Sequence, residues 1–176
     1  MITSNSSPLI LLAKINKLEL LKILYKEIHV PNEVYTEVIV RGKEEQYADA
    51  FLIEKQINDF IFVKELNQKN KKESEKLGKI LGSGESESIV LALQENSRLL
   101  LIDNLEPRKI AELKKIKCRS TPGVLLEALN KRVISAEEYR KGIKKLSEFA
   151  WLSGDIVAYF IEESYKNKCG EKNENK

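Results

Sequence analysis

The sequence predicts an α/β fold: a three-layer α/β/α sandwich with helices on both faces of a largely parallel sheet. Short apolar segments alternate with helix-period segments almost from end to end, the pattern of strand–helix–strand units. Leu99-Leu100-Leu101-Ile102 is apolar without interruption, as a strand covered on both faces has to be. With 176 residues, 42% of them hydrophobic and 32% charged, the chain can bury a core without disulfide or metal staples.

Met1-Ile2-Thr3-Ser4 is the first strand. Ser6-Ser7-Pro8 starts a helix, with Ser7 as N-cap and Pro8 at the first helical position. The spacing of Leu9, Leu12, Ala13, Leu18, Leu21 and Leu24 carries that helix to about Tyr25. Ile28-His29-Val30 is the second strand, and Pro31-Asn32 opens a helix with a Val34/Val38 stripe. Arg41-Gly42-Lys43 reads as a basic loop, Ala48 to Ile57 as a helix, and Phe60-Ile61-Phe62-Val63 as a buried strand. Lys64 to Lys79 is a charged stretch with two readings, a solvated helix or loop and a surface for a nucleic-acid backbone.

Gly82-Ser83-Gly84 is a turn, Glu85 to Asn96 a helix apolar nearly all round, and Leu99 to Ile102 the fourth strand. Pro107 to Lys115 is a helix and Ile116 to Arg119 a short fifth strand. Thr121-Pro122 repeats the cap-then-proline device, and Ser135 and Glu138 have capping-box spacing. Ser153 caps a last helix through about Tyr165. These boundaries give a single domain over residues 1–165, with 121–165 mostly helical, and a flexible polar tail over 166–176.

Composition removes several classes of function. One histidine, His29, excludes a multi-histidine metal centre, and Cys118 and Cys169 are too few and too far apart for a zinc site. His29 itself reads as a structural residue of its strand. The longest apolar run, Leu9 to Ala13, is far short of the ~20 residues of a membrane span. No secretory signal is read at the start, so the expected location is cytoplasmic. The net charge of +3 permits a nucleic-acid partner without requiring one. Gly82-Ser83-Gly84 has no third glycine and is followed at once by acids, which argues against a dinucleotide site.

Ligands of open α/β sheets bind beyond the carboxyl ends of the strands. The side chains expected there are Asn5 after the first strand, Glu37 in the helix after the second, Glu85 and Glu87 at the start of the buried helix, and Asp103 and Asn104 after the fourth strand. All are hard oxygen donors, the set that selects Mg²⁺ or Mn²⁺, and such a cluster most naturally holds a metal against a phosphate ester. Each has a structural alternative. Asn5 suits an Asx turn, Glu37 a surface carboxylate, Glu87 the third position of a cap on Gly84, and Asn104 a helix cap. Asp103, at the end of a doubly covered strand, is least easily read as merely solvated.

Five segments, in order, resemble the PIN-domain superfamily of nucleases, closest to a PIN-like prokaryotic branch of unknown function related to toxin-type ribonucleases. They are Ser4-Asn5-Ser6-Ser7-Pro8-Leu9-Ile10, Val30-Pro31-Asn32-Glu33-Val34-Tyr35-Thr36-Glu37-Val38, Gly84-Glu85-Ser86-Glu87-Ser88-Ile89, Leu100-Leu101-Ile102-Asp103-Asn104 with Arg108 and Ala111, and Thr121-Pro122-Gly123-Val124-Leu125. The resemblance implies a parallel sheet in the order 3-2-1-4-5 and acids converging on Mg²⁺ or Mn²⁺. It also implies hydrolysis of phosphodiester bonds in single-stranded RNA, a small antitoxin partner and a homodimer. On that basis Glu37, Glu85 and Asp103 are the expected catalytic residues, and Asn5, Glu37, Glu85, Glu87, Asp103 and Asn104 the expected metal set. Ser6 is expected to hydrogen-bond a ligating carboxylate, and Arg41, Lys43 and Arg108 to touch the RNA backbone.

The acidic pattern is incomplete. Asn5 stands where such nucleases usually carry their first aspartate, and the spacing to Ala111 puts Asn104, not Asp103, at the usual acidic position. Amides add no negative charge, which opens a second reading: a catalytically weak or inactive PIN-like module that binds RNA or protein. A small-molecule phosphatase ranks last, for want of a nucleophilic Asp-x-Asp pair.

Overall fold

The computed structural model describes residues 1–150 and 152–169. Its chain forms two compact units, Met1–Thr121 and Pro122–Lys176.

The first unit is built on five parallel strands: β1 (Ile2–Ser4), β2 (Ile28–Pro31), β3 (Ile61–Lys64), β4 (Leu99–Leu101) and β5 (Cys118–Arg119). They lie in the expected order, 3-2-1-4-5. β1 is the central strand. It pairs Thr3 with His29 of β2 on one side and Ile2, Thr3 and Ser4 with Leu99, Leu100 and Leu101 of β4 on the other. Covered on both faces, β1, β2 and β4 are buried at every residue, and β4 is accordingly apolar throughout.

After β1 the chain enters α1 (Ser6–Lys14), and the expected single helix to Tyr25 is two. Asn5, not Ser7, is the N-cap: its Oδ1 accepts from the Ser7 N–H at 3.1 Å. Asn16 then takes a left-handed conformation (φ 57°), and the Lys17 and Asn16 amides donate to Leu12 and Ala13 carbonyls. That six-to-one, five-to-two closure stops the helix before α2 (Glu19–Tyr25) begins.

β2 leads into one helical run: α3 (Asn32–Tyr35), a π-helical stretch (Thr36–Arg41) and α4 (Gly42–Glu44). The expected basic loop at Arg41-Gly42-Lys43 is therefore helical. Gly42 is needed there because a Cβ on it would sit 2.9 Å from Ala50 Cβ of α5 (Ala48–Glu54). The charged stretch after β3 becomes α6 (Gln68–Leu77), which packs on α7 (Ser83–Gln94). Gly82 caps α7, so the expected turn at 82–84 is already the start of the helix. α7 lies against β1, β2 and β4. Its Ile89 and Ala92 join Leu100, Ile102, Ala111 and Ile116 in a core shared with α8 (Leu105–Leu113).

The second unit holds α9 (Thr121–Asn130, which starts on the last residue of the first unit), α10 (Ala136–Phe149) and α11 (Gly154–Cys169). The capping box expected at its second helix is present: Ser135 Oγ accepts from the Glu138 N–H at 3.2 Å, and Glu138 Oε2 accepts from the Ser135 N–H at 3.0 Å. Tyr139 is fully buried and donates to the Phe160 carbonyl at 2.8 Å. The last helix runs past Tyr165 into the expected tail, and residues 170–176 of that tail lie outside the described residues. No helix among the described residues is long and apolar enough to cross a membrane.

Candidate functional site

β1 and β4 are adjacent strands whose following helices leave the sheet at its switch in strand order, where a crevice opens beyond the carboxyl ends. An open pocket of about 520 Å³ lies there, lined by Asn5, Ser6, Glu37, Arg41, Gly84, Glu85 and Asn104 among others. Each is placed by its element. Asn5 ends β1, and its N–H donates to Leu101 O of β4 at 3.1 Å. Glu37 sits in the π-helical stretch, an irregularity common at functional sites. Glu85 is in the first turn of α7, and Asn104 caps α8.

The two carboxylates are oriented by specific donors. Glu37 Oε2 accepts from Ser6 Oγ at 2.6 Å. Glu85 Oε2 accepts from the Gly82 N–H at 3.3 Å, and its Oε1 accepts from Asn104 Nδ2. Gly84 lies between them. A Cβ there would be 2.9 Å from Glu37 Oε2 and 3.8 Å from Ser6 Oγ, so only glycine leaves the carboxylate its place.

Four expected site residues lie elsewhere. Asp103 is turned away from the pocket: its Oδ1 accepts from the Thr121 N–H and its Oδ2 from Thr121 Oγ1, both at 2.7 Å. Burial pushes its carboxyl above the usual range, while the Thr121 bonds and the Arg108 guanidinium pull it back. Glu87 Oε2 accepts from the Glu33 N–H at 3.1 Å, so it satisfies a bare amide at the start of α3. Lys43 pairs with Glu54 at 2.6 Å and lies over the Phe51 ring. Arg108 is half-buried beside Glu112 at 3.5 Å, and neither it nor Lys43 lines the pocket. Arg41 does line it, held at 3.1 Å by Glu33.

Sequence reasoning missed Glu33, Ser83 and Gly84. Glu33 Oε1 takes both Arg41 and Ser83 Oγ, which ties α3 to the start of α7 at the pocket rim. No local signal marks Gly84, because the atom a Cβ would meet belongs to Glu37, distant in sequence.

A family model described as a PIN domain matches residues 1–165. The chain belongs to the PIN-domain family. PIN domains are generally nucleases and typically bind divalent metals, which places this PIN domain among hydrolases. No curated protein and no solved structure matches the chain.

The pocket's donor set can be tested against such a metal. Glu37, Glu85 and the amide oxygens of Asn5 and Asn104 are all hard oxygens, and Gly84 leaves room for a carboxylate. Among the described residues no three acidic, histidine or cysteine side chains gather around one point. Two carboxylates with water in the remaining positions suit one Mg²⁺ or Mn²⁺, which commonly keeps several waters and binds through one or two carboxylates plus phosphate. Of the six residues in the expected metal set, Asn5, Glu37, Glu85 and Asn104 line the pocket, and Glu87 and Asp103 do not.

Proposed function

We propose that this PIN domain is a metal-dependent ribonuclease that hydrolyses single-stranded RNA with Glu37 and Glu85 at its centre. What supports the reading is the meeting of these two carboxylates beyond the carboxyl ends of β1 and β4, each with its orientation fixed by a separate donor. Mg²⁺ or Mn²⁺, when bound, supplies Lewis acidity to a phosphodiester and makes hydroxide accessible near neutral pH.

The chain's own residues do the positioning. Ser6 fixes one oxygen of Glu37, and Glu37 and Glu85 are the carboxylates that would hold the ion. Asn104 and the Gly82 amide hold Glu85, so neither carboxylate has to reorganise when an anionic substrate arrives. Arg41, steadied by Glu33, offers a guanidinium at the rim to the phosphate. A small antitoxin-like protein and a second copy of the chain complete the proposed partners, in the cytoplasm.

The test is cleavage of fluorescent oligouridylate with Mn²⁺ or Mg²⁺. Glu37→Gln and Glu85→Gln should each slow cleavage by about a hundredfold or more, the scale of a lost catalytic group. Asp103→Asn should cut within a few-fold of wild type, because Asp103 faces Thr121. Equal rates for wild type and Glu85→Gln would overturn the assignment. A second reading, a binding module without catalysis, is favoured by the neutral Asn5 and Asn104. It would take over if RNA binds but is not cut at any metal concentration.

A further inference from the structure

The charged stretch from Lys64 to Lys79 holds six lysines against three glutamates, an excess equal to the +3 of the whole chain. In the structure most of it is α6, which contributes little to the core. Ser74 is its buried residue, and Leu77 is the apolar side chain it packs inward. It is held instead by polar contacts at its head. Gln94 of α7 accepts from the Asn67 N–H and from Asn70 Nδ2, both at 3.0 Å, and donates to the Glu65 carbonyl at 3.0 Å. At the other end Gly78 approaches Ser86, one turn into α7, so the two helices run antiparallel. The foot of α6 therefore lies beside the end of α7 that carries Glu85 into the pocket.

Lys69, Lys72 and Lys76 recur at i, i+3 and i+7, one exposed face about 10 Å long at 1.5 Å per residue. Elsewhere on the protein several surface lysines are neutralised: Lys22 by Asp59 at 2.7 Å, Lys43 by Glu54 at 2.6 Å, Lys131 by Glu127 at 2.9 Å. On this face Lys69 and Lys72 have no acidic partner among the described residues, and Lys76 meets Glu73 only at 3.8 Å. A helix kept in place by side-chain amides while presenting unneutralised ammonium groups is a surface for a flexible polyanion.

The geometry points to this lysine face as the track along which the backbone of single-stranded RNA runs before it enters the Glu37–Glu85 pocket. The inference rests on the ribonuclease reading and adds the path of the substrate. Contacts of this kind are with phosphates, so they give affinity without base preference.

The test measures binding of fluorescent oligouridylate to the full chain in chelator, over a salt series, beside cleavage with Mn²⁺. The triple variant Lys69→Ala/Lys72→Ala/Lys76→Ala should bind at least about tenfold more weakly, with a salt slope smaller by about 2. Its KM should rise while kcat stays near wild type, the signature of lost uniform binding. Lys114→Ala/Lys117→Ala, at the amino end of β5 and so across the sheet from the pocket, should bind like wild type. If the triple variant matches wild type in affinity and slope while wild type still cuts, the track is wrong and the ribonuclease reading stands. If wild type neither binds nor cuts, both fall. Polyglutamate competing as well as RNA would show an unselective polyanion surface and overturn the assignment to nucleic acid.

Discussion

Gly84 occupies the second position of a helix, where alanine would ordinarily be favoured by up to about 1 kcal/mol. Its hydrogen is tolerated and a methyl is not, because Glu37 Oε2 stands 2.9 Å from where the Cβ would be. Gly84→Ala should therefore leave the melting temperature within a few degrees of wild type, the helical gain offsetting the contact. It should also displace Glu37 from Ser6 and weaken Mn²⁺ binding, read by calorimetric titration, by at least tenfold. An unchanged metal isotherm would show that the Glu37 position is not critical. The same scale shows why the sequence separated only some of the site. Glu37 and Glu85 were legible because each sits at a helix position aimed past the end of a buried strand. Asp103 and Asn104 are sequence neighbours with comparable claims, and backbone direction alone decides between them: Asp103 turns to Thr121 and Asn104 to Glu85. Only the spacing to Ala111 carried a hint of that choice.

Several helices end without the glycine that usually announces an end. Asn16, Asn96, Lys115 and Arg132 all take positive φ just past a helix, and no glycine among the described residues does. Behind each, a pair of backbone bonds closes the last turn; after α8 the Ile116 and Lys115 amides donate to Ala111 and Glu112. With no glycine to mark it, the break between α1 and α2 could not be read, and apolar spacing ran straight through Asn16. The capping box at Ser135 uses side chains that do announce a helix, so that start was placed, whereas the Asn67 cap of α6 was not read from the charged stretch around it. A left-handed residue with a Cβ costs roughly 1–2 kcal/mol, part of which glycine returns through its freer unfolded chain. Lys115→Gly should accordingly stabilise the protein by about 0.5–1 kcal/mol, a rise of ~1–4 °C in Tm. A fall in Tm would mean that the lysine side chain makes a compensating contact.

At the scale of the whole molecule, the layers follow from apolar strand segments alternating with helix-period segments, whereas the sheet order 3-2-1-4-5 was expected only from the family resemblance. Thr3, Ser4 and His29 are polar side chains buried in these strands, and of the three His29 is the ionisable one. His29 lies in β2, is 5% exposed, and has an Nδ1 without a hydrogen-bond partner among the described residues. Burial depresses its pKa, with the Lys64 ammonium and the terminal amine adding to the effect and the Glu95 and Glu27 carboxylates, 3.9 and 4.0 Å away, opposing it. The folded protein thus takes up a proton less readily than the unfolded chain, whose histidine titrates near 6.5. Stability from this residue is complete above pH 6.5 and drains away as the pH falls below it. His29→Leu should show a shallower loss of Tm between neutral pH and about pH 5 than wild type, and parallel curves would contradict the account.

The central place of β1 also has a price in time. Its neighbours are Ile28–Pro31 and Leu99–Leu101, so the strand synthesised ahead of all the others here waits for nearly a hundred residues before its second edge is covered. Parallel pairing through such long crossovers is slow to form, and until β4 arrives the open edge of β1 is a template for another chain. Copies of this protein should be most vulnerable to mispairing in that interval, when the edge of β1 that β4 later covers stands open.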